Sequence, residues 1–484
     1  MKNIPSSTST YYTTCTECYG CGRKNQRRGR KVRLLYQREL VAFQQSEGLG
    51  TPPTLPKAHP LSCSACLGSG LQPTSSPPLA DTINYPHVAI IGAGIGGVAL
   101  AVACLHRAIP FTLFERDQDF ETRSQGYGLT LQQASVAMKG FGINRLEDGV
   151  FSTRHVVYTT EGKIVGEWGV RKWLQSGASK NARRTNVHIA RQLLRSALLK
   201  QLGGPTKVEW GHQFVDYNEH AGEGVELNFL VAGSLKKIKA DLVVGADGIR
   251  SSVRKQMIGE EANPLRYLGC IVILGICPLQ KLEGLKSELL DSATVFQTAN
   301  GTERIYVMPF TSDSVMWQLS FPLAEDQARI LGSSGSQKLK KEAMLRAAWH
   351  SPIPEIIANT SEAQISSYPI YDRELVNISN FENGGSITLL GDAAHPMSPF
   401  KGQGANQALL DALVLARGIS NGCKPGSAWR EIGIRRSVLS DFELEMLERS
   451  AAKVRGSNEA AKFLHSEIVL FEGNEPRGQC IKRQ

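Results

Sequence analysis

The sequence predicts an α/β protein of the Rossmann type, preceded by a small cysteine-rich module. Two observations predict the α/β part. From Tyr85 onward, short apolar runs typical of buried strands alternate with helical patterns, and the first run leads through a glycine-rich turn into a helix. The third observation is that five of the ten cysteines lie within residues 15–66. We therefore expect two differently built regions in this chain of 484 residues.

Composition and charge exclude several classes of protein. Hydrophobic residues make up 41% and charged residues 21%, as in a globular protein, and no apolar run is long enough to span a membrane. The first residues, Met1–Ser6, lack the apolar core of a secretory signal, so we expect a cytoplasmic protein. Seven of the ten net positive charges lie in residues 1–80, mostly in the run 23–31. This run predicts either a solvated loop or a docking site for an acidic partner.

The cysteine-rich module occupies residues 1–70 and contains the pattern CxxCxGxG twice, starting at Cys15 and at Cys63. Four thiolates at such turns satisfy a tetrahedral zinc ion, and the glycines permit the tight turns beneath the metal. The candidate zinc ligands are Cys15, Cys18, Cys63 and Cys66. Cys21 forms a further CxxC pair with Cys18, so a redox dithiol remains an alternative. We expect a helix around Val32–Phe43 in the segment between the two copies.

The two copies resemble the cysteine-rich repeats of J-domain co-chaperones, in which paired knuckles bind zinc. This resemblance implies a zinc-ribbon-like module with one metal ion. Residues 71–84 are rich in proline and serine and predict a linker that few contacts cross. We therefore expect the region 81–484, which begins at Asp81, to fold without the module.

The dinucleotide-binding motif follows the apolar run Val88–Ile91 and precedes a helical stretch. In such a turn the glycines permit a tight bend, let a pyrophosphate approach the backbone and allow the helix to pack on the strand. The N-terminus of the helix then attracts the phosphates. The candidate residues are Gly92, Gly94, Ile95, Gly96 and Gly97. Glu115 ends the second strand 18 residues after Gly97, as a ribose-binding carboxylate does, and Arg116 beside it is a further candidate.

Two later segments each combine an apolar strand with an acidic turn. The first is Asp241–Arg254, and the second is Ile387–Pro396, which the glycine-rich stretch Pro399–Ala408 follows. With the glycine motif, these segments make the chain from about His87 to the mid-400s resemble class A flavoprotein monooxygenases. Para-hydroxybenzoate hydroxylase, salicylate hydroxylases and tetracycline-inactivating monooxygenases are of this type. The resemblance implies FAD as the cofactor.

The resemblance also implies roles for individual residues. Asp392 would bind the ribityl or pyrophosphate part of FAD, and Asp247 would lie near the pyrophosphate and the path of the nicotinamide donor. Arg191 matches an arginine that reaches FAD from a helix, although Arg195 competes with it one turn later. The N-terminus of a predicted helix at Gln403–Arg417 would stabilise negative charge on reduced flavin. The candidates there are Gly402, Gly404, Ala405 and Asn406.

The resemblance divides the region 85–484 into interleaved parts. The FAD-binding parts are about 85–150, 186–263 and 376–420, the substrate domain is about 151–185 and 264–375, and C-terminal helices occupy 421–484. Four apolar strands of the substrate domain are expected to form a sheet over the flavin ring. The pocket candidates on these strands are Phe296, Tyr306, Met308 and Trp317, although packing in the core is the expected role of each one taken singly.

The reaction that the resemblance implies consumes NAD(P)H and O2 and hydroxylates a small aromatic or polycyclic molecule through a flavin C4a-hydroperoxide. NAD(P)H is expected to bind transiently, because no second glycine motif has strand and helix context. No catalytic side chain and no substrate-binding arginine or histidine is identified, and His395 is interpreted as structural. The alternatives are a flavin-dependent halogenase, whose WxWxIP signature is missing, an oxidase on the same fold, or a zinc-ribbon interaction protein with a non-catalytic flavin domain.

Overall fold

The computed structural model describes residues 11–25, 30–45, 60–123, 126–132, 134–175, 186–220, 224–382 and 384–477. The strands of these residues are β1 (Tyr11–Thr14), β2 (Arg23–Asn25), β3 (Pro60–Ser62), β4 (Leu71–Thr74), β5 (Val88–Ile91), β6 (Phe111–Phe114), β7 (Gly128–Leu131), β8 (Val150–Ser152), β9 (Arg154–Thr159), β10 (Ile164–Trp168), β11 (Asn186–Ala190), β12 (Val208–Glu209), β13 (His212–His220), β14 (Gly224–Val231), β15 (Ser234–Ala240), β16 (Leu242–Gly245), β17 (Arg266–Pro278), β18 (Thr294–Ala299), β19 (Arg304–Thr311), β20 (Ser314–Pro322), β21 (Ile365–Asp372) and β22 (Ile387–Leu389). The α-helices are α1 (Arg30–Gln45), α2 (Ile95–Leu105), α3 (Ala134–Ala137), α4 (Val170–Gln175), α5 (Arg191–Gln201), α6 (Ser252–Ile258), α7 (Glu325–Gly332), α8 (Ser336–Arg346), α9 (Ile353–Asn359), α10 (Ser379–Glu382), α11 (Gly404–Gly422), α12 (Trp429–Ile432) and α13 (Ser440–Phe463).

A five-stranded parallel sheet, in the order β12-β6-β5-β16-β22, forms the centre of the nucleotide-binding part. Its central strands are apolar and buried along their whole length, because helices cover both faces of such a sheet. Three separate stretches of the chain supply these strands, so the predicted interleaving and the predicted α/β fold are confirmed. Small buried residues of α2, including Ala99 and Ala103, allow this helix to pack closely against α11.

A seven-stranded sheet, in the order β10-β9-β18-β19-β20-β17-β21, forms the second part. Its pairs are antiparallel except for β18 and β9, which run parallel. One face packs under α7, α8 and α9, and Phe296 and Trp317 belong to that apolar layer, where they are 1% and 0% exposed. Phe296 and Trp317 therefore belong to the core, the role that the sequence favoured for each of them, because neighbouring residues on a strand point to opposite faces of the sheet. Tyr306 and Met308 lie on the other face, at a cavity.

The cysteine-rich module consists of two small antiparallel pairs, β1 with β4 and β2 with β3, and the predicted helix between the two cysteine motifs is present as α1. The predicted linker is wrong in its first four residues. Leu71–Thr74 forms β4 because its backbone pairs with the strand at Tyr11–Thr14 and its Leu71 side chain is buried. The segment between module and fold therefore begins after Thr74.

The module also contacts the rest of the chain more closely than the sequence suggested. The Thr14 hydroxyl donates to the carbonyl oxygen of His106 at 3.3 Å, and the Asn144 amide donates to the Tyr12 hydroxyl at 3.3 Å. The Trp429 indole donates to the carbonyl oxygen of Asn84 at 2.7 Å, which fastens the end of the connecting segment. Independent folding of residues 81–484 stays a prediction. Across the described ranges, no helix combines the length and apolar character that a membrane crossing requires.

Candidate cofactor site and substrate cavity

A cavity of about 990 Å³ lies between the carboxyl ends of the parallel strands and the uncovered face of the seven-stranded sheet. This is the edge of an α/β sheet at which ligands bind, and the volume is near the upper end of about 300–1,000 Å³ that small-molecule sites occupy. The lining residues that the sequence had singled out are Gly94, Ile95, Gly96, Arg191, Asp392, Gly402, Gly404 and Ala405, with Tyr306 and Met308 from the sheet. Tyr127, Gly128 and Leu129 of the β7 segment complete this side.

The glycine turn between β5 and α2 has the geometry that the motif predicts. Gly92 has a φ of +104°, and a Cβ atom there would lie 2.7 Å from the carbonyl oxygen of Ala246. A Cβ atom on Gly97 would lie 1.9 Å from the carbonyl oxygen of Gly92, so the helix can approach the turn only without a side chain. Gly94, by contrast, opens into the cavity, where the nearest atom is 3.8 Å away on Arg191. The first N–H groups of α2 are therefore available to a phosphate.

Glu115 and Arg116 follow β6 but are not among the residues that line the cavity. One Glu115 carboxylate oxygen accepts from the backbone N–H of Ala93 at 2.8 Å, and the other accepts from that of Asp117 at 3.2 Å. Glu115 thus holds the glycine turn in place, and its role toward a ribose stays a prediction. Arg116 is exposed.

The two competing arginines of α5 have different surroundings. Arg191, the first residue of the helix, lines the cavity, and its guanidinium lies beside the Tyr127 phenol. Burial raises the pKa of this phenol, and the charge of Arg191 partly opposes the rise. Arg195 is 4% exposed and donates to the carbonyl oxygen of Ala93 at 2.7 Å, inside the glycine turn. The geometry therefore supports Arg191 as the arginine that reaches a cofactor and gives Arg195 a supporting position.

Asp247 does not project into the cavity, although its neighbours Ala246 and Gly248 line it. One carboxylate oxygen accepts from the backbone N–H groups of Ser252 and Val253 at 2.8 and 3.3 Å and so caps α6. The other oxygen is buried without a hydrogen-bond partner among the described residues. Burial raises the pKa of this carboxyl group, while the helix N–H groups oppose the rise.

Asp392 projects into the cavity from the turn that follows β22. Desolvation by the surrounding protein raises the pKa of its carboxyl group, and the positive charges of His395 and Arg191 oppose the rise. The turn is held from behind by Asp411 of α11, whose carboxylate accepts from the backbone N–H of Gly391 at 2.8 Å and from His395 at 2.7 Å. His395 is therefore a buried structural partner, which agrees with the interpretation from the sequence.

The Asp411 carboxylate also binds Arg449 of α13 at 2.7 Å, so two cationic groups flank one buried anion. Burial opposes the ionisation of both Asp411 and His395, but their mutual attraction outweighs it. The pKa of His395 is raised and that of Asp411 is lowered. Both shifts favour the ionised pair, which fixes the cofactor turn to two helices.

The N-terminus of α11 faces the cavity through Gly404 and Ala405. Gly402 precedes it with a φ of +57°, a conformation that favours glycine. Asn406 is fully enclosed by protein. Its carbonyl oxygen accepts from the backbone N–H groups of Gln132 and Ala134, and its amide donates to the carbonyl oxygens of Thr130 and Gly402. Because these bonds use the whole amide, Asn406 positions the helix, and the prediction that it binds the cofactor is not supported by its geometry.

Arg304 of β19 is a cavity residue that the sequence reasoning missed. It is 6% exposed, its Nε donates to the Gln297 side chain at 2.6 Å, and its guanidinium lies 4.9 Å from the centre of the Tyr306 ring. No carboxylate of the described chain pairs with it, and burial lowers its pKa to about 10. The signal was available, because Arg304, Tyr306 and Met308 alternate along one strand and so share a face.

Tyr368 of β21 stands on the same wall. Its hydroxyl is buried without a hydrogen-bond partner among the described residues, and burial raises its pKa, so it remains a neutral donor. A buried hydroxyl of this kind costs free energy until a ligand pairs with it. Tyr368 and Arg304 are thus two buried polar groups on the wall that the sheet contributes to the cavity.

The residues present fit FAD. Two helix N-termini and the open Cβ positions at Gly94 and Gly402 face the cavity, which suits the close approach of phosphates and of a flat ring. Arg191 adds a positive charge, and Asp392 adds a carboxylate that can accept from hydroxyl groups. The fold and the cavity therefore define a flavoprotein of the α/β class.

Comparison with known proteins gives the family. A family model described as "FAD binding domain" matches residues 85–429. The aurachin C monooxygenase/isomerase of Stigmatella aurantiaca is 29% identical over 360 residues, which cover 73% of this chain and 86% of that protein. The 6-hydroxynicotinate 3-monooxygenase of Bordetella bronchiseptica is 27% identical over 350 residues, which cover 69% of this chain and 82% of that protein.

A solved structure shows the same fold. The structure of Klebsiella pneumoniae HpxO complexed with FAD and uric acid superposes with a TM-score of 0.64 at 21% identity, and the match covers 83% of this chain and 93% of that one. The chain belongs to the FAD binding domain family. It is an FAD-dependent monooxygenase, as the sequence motifs predicted.

The four predicted zinc ligands form a second candidate site in the module. The Sγ atoms of Cys15, Cys18, Cys63 and Cys66 all lie within 4.8 Å of one another. Cys18 and Cys66 are 3.6 Å apart, close to the separation of about 3.8 Å that tetrahedral Zn–S bonds of about 2.3 Å produce. Each of these two sulfur atoms accepts a backbone N–H at 3.2 Å, from Gly22 and Gly70 respectively.

Cys21 lies outside this cluster, and its sulfur accepts from the Asn421 amide at 3.3 Å. The close approach of the two knuckles explains why the CxxCxGxG motif ends in glycine. A Cβ atom on Gly22 or on Gly70 would lie 2.3 Å from a carbonyl oxygen of the opposite knuckle. The donor set and its burial fit a closed tetrahedral metal site.

Proposed function

We propose that the chain hydroxylates a small, flat aromatic molecule that carries an acidic or carbonyl group. The reaction would take one oxygen atom of O2 into the substrate and the other into water, with NAD(P)H supplying two electrons. The observation that carries the proposal is the Arg304 guanidinium, buried on the substrate wall of the cavity that also contains the FAD cradle. A buried cation without a carboxylate partner favours an anionic or strongly accepting substrate group.

FAD would supply the redox and oxygen chemistry. The chain's own part is to bind and to shield. The N–H groups at the start of α11 stabilise negative charge next to them, and Asp392 and Arg191 hold polar groups of the cofactor. Tyr368 donates from the substrate wall, and the seven-stranded sheet excludes water. The 6-hydroxynicotinate 3-monooxygenase is named for a reaction on an aromatic ring, which supports an aromatic substrate here.

NAD(P)H is proposed to bind at the mouth of the cavity. The described residues contain one GxGxxG motif between a strand and a helix, at Gly92–Gly97, and the FAD cradle uses it. Arg250 and Arg329 line the cavity, and Arg250 is exposed. Two arginines at an opening suit the phosphates of a nicotinamide dinucleotide that binds only during reduction.

The experiment measures NADH and NADPH oxidation by the FAD-loaded protein with a panel of aromatic acids, ketones and their uncharged analogues. We expect product formation coupled to NAD(P)H oxidation only with substrates that carry an acidic or carbonyl group. Arg304→Met should lower kcat/KM for them by about 10-fold to 100-fold, since a charge-assisted hydrogen bond contributes about 1.5–3 kcal/mol, and Arg304→Lys should recover part of it. Arg171→Met, a change at a partly exposed arginine paired with Asp291, is the control. Equal activity of both methionine variants on all substrates would contradict the role of Arg304.

We further propose that Cys15, Cys18, Cys63 and Cys66 hold one zinc ion that organises the module. Metal analysis of the purified chain should give one zinc per protein. Cys63→Ser should abolish this metal, whereas Cys423→Ser, at a buried cysteine outside the cluster, should keep it. A metal-free wild type, or a Cys63→Ser variant with full zinc content, would refute the site.

The basic charge of the module supports a third proposal, docking of an acidic partner. Lys31 and Arg38 of α1 are exposed, as are the apolar side chains of Leu34, Leu35 and Val41. Retention of the full chain on an anionic resin should weaken as salt rises, and Lys31→Glu with Arg38→Glu should weaken it further. If the resin retains the double variant as strongly as the wild type, Lys31 and Arg38 do not contribute to docking.

A further inference from the structure

Two arginines of the FAD-binding part, Arg107, which is buried, and Arg417, which is partly exposed, converge on one atom of the cysteine-rich module. Arg107 follows the C-terminal end of α2 and is 2% exposed, and its guanidinium donates to the carbonyl oxygen of Gly20 at 3.2 Å. Arg417, in the last two turns of α11, donates from Nε to the same oxygen at 3.2 Å. Gly20 lies in the first knuckle, two residues after Cys18.

Neither arginine has an acidic partner in the part of the chain that the structure describes. The other bond of Arg107 goes to the carbonyl oxygen of Ala103 at 2.9 Å. Burial lowers the pKa of both groups, that of Arg107 to about 10. The Arg417 guanidinium further disfavours the charge of Arg107, and Arg23 disfavours that of Arg417. For Arg417 the neighbours that favour its charged form are the thiols of Cys21, Cys18 and Cys66. Two like charges buried together are costly unless an anion compensates them.

The cysteine cluster can supply that anion. Four thiolates around one divalent zinc ion carry a net charge of −2, which equals the charge of two guanidinium groups with the opposite sign. We propose that Arg107 and Arg417 are the counter-charges of the metal–thiolate centre, and that metal occupancy is thereby linked to FAD binding. The proposal rests on the zinc site proposed above.

The link follows from the two helices that the arginines occupy. The first residues of α2 and α11 face the FAD cradle, and their far ends meet the module. Helices are stiff, and α2 packs directly on α11. Loss of the metal removes the centre whose net charge compensates the two guanidinium groups, and any movement that separates the two like charges displaces both helices. FAD affinity should therefore fall when the metal leaves.

A helix C-terminus also attracts cations, so a purely structural role must be separated from the proposed one. The full-length chain is compared with Arg107→Gln, Arg417→Gln and the double variant. Zinc affinity is measured by competition with a chromophoric chelator, and FAD affinity by flavin fluorescence before and after chelation. Arg477→Gln is the control, because Arg477 is 5% exposed and bonds backbone carbonyls far from the module.

Each single variant should bind zinc about 10-fold more weakly, which is the lower end of the effect of lost outer-shell partners. The double variant should be weaker still, and Arg417→Lys should recover part of the loss because it retains the charge. Chelation should weaken FAD binding by the wild type several-fold. In the double variant, where the charge repulsion is gone, chelation should change FAD binding less.

Each contrary result has a definite meaning. A wild type that binds no zinc refutes the metal site, and this proposal falls with it. A wild type that binds zinc as tightly as the double variant refutes the counter-charge role alone. Unchanged FAD affinity after complete chelation of the wild type refutes the link between the two sites.

Discussion

The two walls of the cavity are built from different parts of the polypeptide. The cofactor wall consists mainly of backbone: glycine turns and the N-termini of α2 and α11. The substrate wall consists of side chains that project from strands, such as Arg304, Tyr306 and Tyr368. A wall of backbone needs particular residue types at fixed spacing, because an added side-chain atom displaces the backbone itself. On a wall of side chains, a substitution removes one group and leaves the others in place. We therefore expect substitutions on the cofactor wall to have the larger effects.

The largest effect is predicted for Gly97→Ala on the cofactor wall. The new methyl group would lie 1.9 Å from the carbonyl oxygen of Gly92, so the helix must move away from the turn that holds the phosphates. We expect loss of FAD from the purified protein, or loss of soluble protein, and a lower Tm. Gly284→Ala is the matched control, since a Cβ atom there meets nothing within 4 Å. FAD content is measured by the ratio of flavin to protein absorbance, and full FAD content in the Gly97 variant would contradict the packing argument.

The same difference between the walls explains what the sequence could predict. Gly92, Gly97 and Asp392 belong to local patterns in which strand, turn and helix follow one another directly, so their positions were predictable. Arg304 was missed although it alternates with Tyr306 and Met308, because no motif marks a substrate wall and an arginine on a strand is ordinarily exposed.

Other errors concern contacts between distant segments. Asn406 stands in a cofactor motif, but its amide bonds the backbone of β7, about 270 residues earlier. Leu71–Thr74 has the composition of a linker and forms a strand because its partner lies 60 residues before it. The pairing of Arg417 with Gly20 spans 397 positions. No pattern within a short window of sequence contains such contacts.

The second largest effect is predicted for Asp411→Asn, which acts behind the cofactor wall. Removing one charge from a buried ion pair costs about 3–5 kcal/mol, because the remaining charges lose their partner. Here His395 would lose its partner, Arg449 would keep only Glu445 as an acidic partner, and the turn at Gly391 would lose an anchor. A fall in the free energy of unfolding of this size, with weaker FAD binding, is expected from denaturant titration of the holoenzyme.

The pH dependence of stability tests the same ion pair. The pKa of His395 is raised above its ordinary 6.5, so its contribution is complete below pH 6.5 and is lost as the pH rises through the raised value. The pKa of Asp411 lies below 3.8, so its contribution is present above pH 3.8 and is lost on acidification. The wild type should therefore lose more stability than Asp411→Asn between pH 6.5 and 9. Parallel curves over that range would show that the pair is not ionised.

A moderate effect is predicted for Asp392→Ala, which removes a side chain from the cofactor wall without disturbing the backbone. The carboxylate projects into the cavity, so the protein should fold and its Tm without FAD should change little. FAD affinity should fall by about 10-fold to 100-fold, since a hydrogen bond to a charged group contributes about 1.5–3 kcal/mol. Equilibrium dialysis against FAD measures the change. If FAD bound the variant as tightly as the wild type, Asp392 would not belong to the site.

The smallest effect is predicted for Tyr368→Phe on the substrate wall. The change removes one hydroxyl that has no partner in the described chain, so the protein should be as stable as the wild type or slightly more stable. If the hydroxyl donates to the substrate, kcat/KM should fall by about 2-fold to 10-fold, as a neutral hydrogen bond of about 0.5–1.5 kcal/mol implies. FAD content should stay complete.

The control is Tyr267→Phe. The Tyr267 hydroxyl donates to the carbonyl oxygen of Leu323 at 2.8 Å, and Tyr267 does not line the cavity. That variant should lose stability and keep kcat/KM, the opposite pattern. A Tyr368→Phe variant that loses FAD would instead assign this residue to the cofactor wall and would remove the distinction between the two walls at this position.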